Sequence, residues 1–422
     1  MRFTSLADWL AWQETLHPSE IELGLERVAA VLRRLHPDPA PFAVITVGGT
    51  NGKGSTVAML EAILRAGGYR VGAYTSPHLL RYNERIRLGG AEIDDATLCD
   101  SFERIDQARG DISLTYFEFG TLAALDIFHR CGVDVAILEV GMGGRLDAVN
   151  VLDADVALVT TVDVDHAQWL GETREEIAFE KAGIYRGGRP AIYGAADVPG
   201  SLREHADAIG ARLYCYGRDF GGATEGEGGW RWWGGTRQRH TLPLPALRGR
   251  SQLQNAAGVL MALELLAERL PLDQAQIRAG LLAATLPGRF QVLPGEVSLI
   301  LDVAHNPQAA AELAANLAAL PCGGRTLAVL GMLADKDMAG AIGQVSGAVD
   351  HWYPAGLAVA RGATAAQLGD ALAAAGVAAG RITPHATVGA ALAAARRAAR
   401  PGDRIVVFGS FHTVAEALAR PV

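Results

Sequence analysis

The run from Val44 to Thr56 reads Val-Ile-Thr-Val-Gly-Gly-Thr-Asn-Gly-Lys-Gly-Ser-Thr. Its residue types suit the binding of a nucleoside triphosphate. Glycines let backbone N–H groups turn inward and come close to phosphate oxygens. A helix that opens just after them adds unsatisfied N–H groups and a favourable dipole. Lys53 can reach the terminal phosphates, and a hydroxyl after it can hold Mg2+. The common phosphate-loop pattern has its hydroxyl directly after the lysine. Here Gly54 intervenes before Ser55 and Thr56.

Other residues have chemistry that depends on where they fall. Glu139 closes the apolar run Val133 to Leu138, ahead of Gly141-Met142-Gly143-Gly144-Arg145-Leu146-Asp147-Ala148. An acid ending a buried strand beside a phosphate loop suits Mg2+, which takes one or two carboxylates plus substrate phosphates. A loop acid or a helix cap is the alternative. Asp165-His166 follows the run Val156 to Thr161, so His166 is expected on the same edge. Ser76-Pro77 reads as a turn. Of Arg81, Arg85 and Arg87, some can face an anionic substrate and others are simply solvated. By residues alone Lys181 is a surface lysine in the last turn of a helix, favourable to the dipole. Glu118 reads equally well as a cap of the helix after Thr115.

These positions demand a particular scaffold. Strands are predicted at residues 42–47, 71–74, 133–139, 156–161 and 191–193, and helices at 56–66, 116–131 and 174–182. Such alternation makes a mainly parallel sheet covered by helices, with ligands beyond the carboxyl ends of the strands. Residues 210–247 change character. Glycines, Trp230, Trp232 and Trp233 suggest short antiparallel strands whose aromatics pack on a face. A helix at 253–270 leads to the turn Leu286-Pro287-Gly288. A second alternating series follows, with strands at 297–303, 326–330, 351–353 and 404–408 and helices at 308–320 and 388–399.

A chain of 422 residues supports two or three domains. The division expected is 1–287 and 288–422. A net charge of −8 argues against a general nucleic-acid binder. The four cysteines are scattered, without a Cys-x-x-Cys pair, and are expected to be small buried residues in a reducing compartment. No signal peptide and no membrane-spanning run is read, so a soluble cytoplasmic protein is expected.

The form Gly-Thr-Asn-Gly-Lys-Gly-Ser at 49–55 resembles the ATP loop of the Mur-ligase superfamily. Within it the chain most resembles the dihydrofolate synthase and folylpolyglutamate synthase enzymes, over about residues 16–416. The fold this implies is α/β: a mainly parallel phosphate-loop sheet domain that also binds the pterin, plus a smaller C-terminal Rossmann-like α/β domain that closes over ATP and binds glutamate. The activity implied is ATP-dependent joining of L-glutamate to the carboxylate of dihydropteroate or a reduced folate, through an acyl phosphate. The resemblance assigns ATP to Thr50, Asn51, Gly52, Lys53, Gly54, Ser55, Ser76, Asn255, Arg289 and Asp302. It assigns two Mg2+ ions to Ser55, Ser76, Glu139, His166 and Lys181. Lys181, in Glu-Lys-Ala-Gly-Ile, is implied to be carboxylated by CO2 and so to become an oxygen ligand. Lys53, Glu139, His166 and Lys181 form the implied catalytic set. The pterin is implied to meet Ile21, Glu22, Leu23, Thr115, Tyr116, Phe117, Glu118, Leu146, Asp147 and Ala148. His305 shares the loop of Asp302. Small-molecule substrates and a monomer are expected, with neither nucleic acid nor membrane as partner. The alternatives are a monofunctional folylpolyglutamate synthase, a peptidoglycan-precursor ligase and a nucleotide switch that does no ligation. Tyr116-Phe117-Glu118-Phe119 argues against the second.

Overall fold

The protein is described by a computed structural model that covers residues 2–226 and 228–419. Its chain separates into two compact units. One comprises 1–246 with 253–284, the other 247–252 with 285–422.

The first unit is built on eight strands, β1 (Ala43–Gly48), β2 (Val71–Tyr74), β3 (Ile86–Leu88), β4 (Ala91–Glu92), β5 (Val135–Glu139), β6 (Val156–Val159), β7 (Pro190–Tyr193) and β8 (Arg212–Cys215). Their order across the sheet is β4-β3-β2-β5-β1-β6-β7-β8. Strands β2, β5, β1, β6, β7 and β8 run parallel. Strands β3 and β4 form an antiparallel margin. Every residue of β1, β5 and β6 is buried, as expected of parallel strands covered on both faces. After β1 the chain runs out to β2, returns through β5 and crosses to β6 on the other side. Strand β1 thus marks a reversal of strand order, the place where open parallel sheets bind ligands beyond their carboxyl ends.

The glycine- and tryptophan-rich stretch forms a separate antiparallel sheet of β9 (Phe220–Glu225), β10 (Gly229–Gly234) and β11 (Arg237–Pro243). Trp230 and Trp232 are fully buried. Their indole N–H groups donate to the Pro243 and Ala257 carbonyls at 2.9 and 3.1 Å. This is a packed face, as the strand pattern predicts, and both polar handles are satisfied.

The second unit carries β12 (Gln291–Leu293), β13 (Ser298–Asp302), β14 (Thr326–Leu330), β15 (His351–Pro354) and β16 (Arg404–Phe408), in the order β12-β13-β16-β14-β15. All but β12 are parallel. Leu313, Ile342, Trp352 and Val406 centre its core.

Some expectations need adjustment. The phosphate-loop helix begins at Lys53, not Thr56, because Gly52 takes the left-handed cap that lets the first turn form early. Strand β6 ends at Val159 rather than Thr161, where the chain passes under the phosphate loop: Thr160 N–H still donates to the Gly48 carbonyl, and both threonine hydroxyls donate to the Asn51 carbonyl. The long helix spans Ser251–Leu265. Cys99 and Cys215 are buried, but Cys131 is exposed, and all four cysteines are free. Among the described residues, no helix is long and apolar enough to cross a membrane.

Candidate active site

The phosphate loop follows β1, at the reversal point, and is held from beneath by the residues after β6. Thr50 N–H donates to the Thr161 carbonyl at 2.8 Å, and Asn51 N–H to Thr161 Oγ1 at 3.2 Å. Thr160 Oγ1 donates to the Asn51 carbonyl at 2.6 Å. Thr50 Oγ1 donates to the Asp163 carbonyl at 3.1 Å. Gly49 has φ +133°, and a Cβ there would lie 1.9 Å from Thr160 Oγ1. Gly52 has φ +89°, and a Cβ there would lie 2.8 Å from Asn255 Oδ1. Both positions need glycine for conformation and for space. The second contact also sets the Asn255 side chain against the loop. Lys53 Nζ donates to the Gly49 and Thr50 carbonyls at 2.9 and 3.2 Å, so its ammonium lies across the loop. Gly54, Ser55 and Thr56 are buried in the first turn of the helix. The pattern singles out Asn51 and Thr50 but not Thr160 and Thr161. The paired hydroxyls directly after a buried strand were the available signal.

The other candidates gather at the same edge. Val47 of β1 pairs with Glu139 of β5. Glu139 is buried, and its Oε2 accepts from Ser76 N–H at 3.3 Å. Ser76 lies two residues beyond β2. His166 does not close a strand. It sits seven residues past the end of β6, with left-handed backbone at φ 54°, and caps the short helix Ala167–Leu170. Its side chain is 39% exposed and lies 3.8 Å from Asp165 Oδ2.

Lys181 overturns the reading from residues alone. It is buried, not a surface lysine. Burial pulls its pKa down from 10.5 to about 7, and the positive charge of Lys53 pushes the same way. Asp165 and Asp147 oppose these effects only in part. The helix-end position hid this burial, because Lys181 follows another charged residue, the half-buried Glu180, which pairs with the exposed Arg145 at 2.8 Å.

The segments that the resemblance assigns to the pterin also come together. Gly24 N–H donates to the Leu146 carbonyl at 3.1 Å, which sets Ile21-Glu22-Leu23 beside Leu146-Asp147-Ala148. Thr115 and Glu118 form a reciprocal capping box at the start of the helix Tyr116–Cys131. Glu118 is buried and also meets Arg27 Nη2 at 2.9 Å. Arg27 pairs with Glu22 and donates to the Glu22 carbonyl at 2.9 Å. Both Glu118 oxygens are therefore engaged by the fold. Sequence reasoning missed Arg27, whose only signal was its place on the first turn after Glu22. Phe117 packs on the Cβ-less face of Gly141, where an added Cβ would lie 2.6 Å from its ring. Asp147 is buried and accepts from Met142 N–H at 2.8 Å and Val149 N–H at 3.1 Å. Burial lifts its pKa to about 6, against those backbone bonds and the charge of Lys53.

Among the three loop arginines, Arg81 is exposed and pairs with Asp95 and Glu92. Arg87 pairs with Glu61 at 2.9 Å. Arg85 donates from Nε to His78 Nδ1 at 2.9 Å and lies over the rings of Tyr82 and Tyr116.

In the second unit, Asp302 ends β13 and accepts from Phe290 N–H at 2.9 Å and Ala304 N–H at 2.8 Å. Burial raises its pKa, and the charge of nearby Arg289 opposes the rise. The Arg289 guanidinium lies 5.2 Å from the centre of the Phe411 ring. His305 Nδ1 meets the Val303 carbonyl at 2.9 Å.

Whether this edge fits a divalent cation turns on its donors. Among the described residues, no group of three or more His, Cys, Asp or Glu side chains is arranged to hold one. One buried carboxylate, Glu139, bonded by the Ser76 N–H suits Mg2+, which completes its shell with substrate phosphates and water. The donors therefore fit a cation that arrives with a nucleotide. Held together, such an edge can bind a triphosphate, neutralise it and present it to a nucleophile.

Residues 47–226 match the Mur ligase middle domain family, and residues 288–411 match the Mur ligase, glutamate ligase domain family. The chain is 47% identical over 414 residues to a dihydrofolate synthase/folylpolyglutamate synthase of Escherichia coli, covering 98% of this chain and 94% of that protein. Escherichia coli FolC in complex with DHPP and ADP superposes with a TM-score of 0.93 at 46% identity, over 99% of this chain and 97% of that one. A bifunctional folylpolyglutamate synthase/dihydrofolate synthase with Mn, AMPPNP and L-glutamate bound superposes with a TM-score of 0.91 at 48% identity, over 99% and 98% of the two chains.

Proposed function

This chain belongs to the dihydrofolate synthase/folylpolyglutamate synthase family of Mur ligases, and from that membership we propose how its own residues divide the work. It is an ATP-dependent ligase that adds L-glutamate to dihydropteroate, forming dihydrofolate, and to reduced folates, extending their glutamate tail. It uses ATP with a divalent metal ion. The substrate carboxylate attacks the γ-phosphorus, the bond to the bridging oxygen breaks, and ADP leaves an acyl phosphate. The glutamate amine then attacks the acyl carbon, loses a proton and expels phosphate.

One observation carries this reading furthest. The phosphate loop and buried Glu139 lie at the ends of neighbouring strands on one sheet edge, and buried Lys181, in the last turn of its helix, and buried Asp147 both feel the charge of Lys53. Thr50, Asn51, Gly52, Gly54 and Asn255 frame the nucleotide. Lys53 leaves its loop carbonyls for the phosphates, exchanging neutral acceptors for charged ones. Arg289 and Asp302 of the second unit also bind ATP. Ser55, Ser76 and Glu139 would hold one Mg2+, and His166 with carboxylated Lys181 would complete a second site. Bound there, the ions supply charge neutralisation for phosphoryl transfer. Lys181 suits its modification because a neutral amine, which burial favours, is what attacks CO2. Ile21, Glu22, Leu23, Thr115, Tyr116, Phe117, Glu118, Leu146, Asp147 and Ala148 form the pterin side. There Phe117 offers a flat face, and Glu118 serves by capping the helix and holding Arg27. We further propose that the enzyme acts as a monomer in the cytoplasm.

The deciding assay is glutamate-dependent phosphate release, with dihydropteroate or a reduced folate offered separately. Release with both is expected. Release with reduced folate alone would restore the monofunctional alternative, and ATP hydrolysis indifferent to glutamate would remove ligation altogether.

A further inference from the structure

Three arginines follow the strand β2, and two of them have carboxylate partners. Arg81 meets Asp95 at 3.3 Å, and Arg87 meets Glu61 at 2.9 Å. Arg85 has no carboxylate partner among the described residues. It is only half-buried, yet it is held firmly. Its guanidinium lies 5.3 Å from the Tyr82 ring centre and 5.6 Å from that of Tyr116. Its Nε donates to His78 Nδ1 at 2.9 Å. The buried Tyr74 hydroxyl is a further polar neighbour. Two aromatic faces, the Nε bond to His78 and the hydrogen bond to the Tyr74 hydroxyl fix the guanidinium, and its remaining terminal N–H groups stand as a pre-set fork. Such a fork matches a carboxylate in two-pronged fashion, and its orientation entropy has already been lost.

The position of Arg85 says which carboxylate. Tyr116, under the guanidinium, belongs to the segment proposed to meet the pterin. Thr75 N–H donates to the Arg85 carbonyl at 2.8 Å, which ties the arginine to the residue before Ser76. Ser76 in turn donates to Glu139 at 3.3 Å. Arg85 thus stands where the pterin side meets the phosphate edge. A pteroyl substrate that spans the two must carry its carboxylate past this point.

We propose that Arg85, stacked against Tyr82 and Tyr116, binds the carboxylate of the pteroyl substrate and orients it toward the γ-phosphate of ATP. This inference rests on the ligase reading above and adds a specificity determinant to it. Substrate that lacks the negative charge is rejected because it leaves the fork unpaired in a partly desolvated place.

The test compares dihydropteroate with its carboxamide, which has the same shape and no charge. Binding is followed by ligand fluorescence in the presence of ADP. Wild type should prefer the carboxylate by about tenfold or more, the size of a charge-assisted hydrogen bond. In Arg85→Met that preference should collapse toward equality. The KM for dihydropteroate should rise about tenfold to a hundredfold with the KM for ATP little changed. Arg85→Lys, which keeps the charge but loses the fork, should recover part of the preference. Equal weakening of carboxylate and carboxamide in Arg85→Met would make the residue structural and overturn the proposal, as would a preference that survives both substitutions. A wild type that binds with this preference but releases no phosphate with glutamate would instead overturn the ligase reading and leave the anchor standing.

Discussion

Lys181 sets catalytic need against stability. Its amine is buried, and its pKa falls from 10.5 to about 7, chiefly through burial and then through the charge of Lys53. At pH 7 about half of this amine is neutral, against about one part in three thousand for an ordinary lysine. Reaction with CO2 forms an N–C bond and releases a proton, so the supply of attacking amine rises about a thousandfold. The same displacement carries a cost. An unmodified Lys181 binds its proton less readily in the folded than in the unfolded state. Its penalty is therefore largest below pH 7, and stability should recover as pH rises from about 7 toward 10.5, by a total of about 5 kcal/mol. Lys181→Met removes the charge and keeps the volume. In CO2-free buffer at pH 7 the variant should be more stable than wild type by about 3–5 kcal/mol, as a higher urea midpoint. It should also be inactive. Carbon-13 NMR in labelled bicarbonate, with nucleotide and Mg2+, should show a carbamate signal in wild type that fades as pH falls through about 7 and is absent from Lys181→Met. A variant less stable than wild type in CO2-free buffer, or a carbamate signal that persists without Lys181, would refute the reasoning.

Further outcomes follow from the same edge. Lys53→Ala should stay folded and lose ligation by at least about tenfold to a hundredfold, since a charged hydrogen bond contributes about 1.5–3 kcal/mol; steady-state rates near wild type would remove its role. Glu139→Ala and His166→Ala should each weaken the Mg2+ dependence of turnover, and unchanged magnesium titrations for both would return them to the scaffold. Gly49→Ala sets a methyl against Thr160 Oγ1 in a backbone that side chains avoid. It should raise the KM for ATP with little effect on pterin binding, read by separate substrate titrations. Asp147→Ala should harm dihydropteroate ligation more than folate extension, and an equal effect on both substrates would show that Asp147 only ties down its loop.

The parallel sheet, the phosphate loop and the acid at the end of β5 were legible because each is a local pattern. An apolar run bounded by glycine needs no partner to be recognised, and the helix Tyr116–Cys131 starts and stops at its own cap signals, the Thr115 box and Gly132. Local patterns do not reveal burial from a distance. Lys181 looked like a solvated helix-end lysine, and only the elements that cover it remove its water and with it its charge. Glu118 was equally a cap or a ligand until Arg27, far away in sequence, engaged it. The three loop arginines are alike as letters. Tertiary contacts alone gave Arg81 and Arg87 their carboxylates and gave Arg85 two aromatic faces. Sequence determined the elements because backbone periodicity and capping act over a few residues. Tertiary structure decided the charge states and partners because desolvation and ion pairing depend on what the rest of the chain brings within a few ångströms.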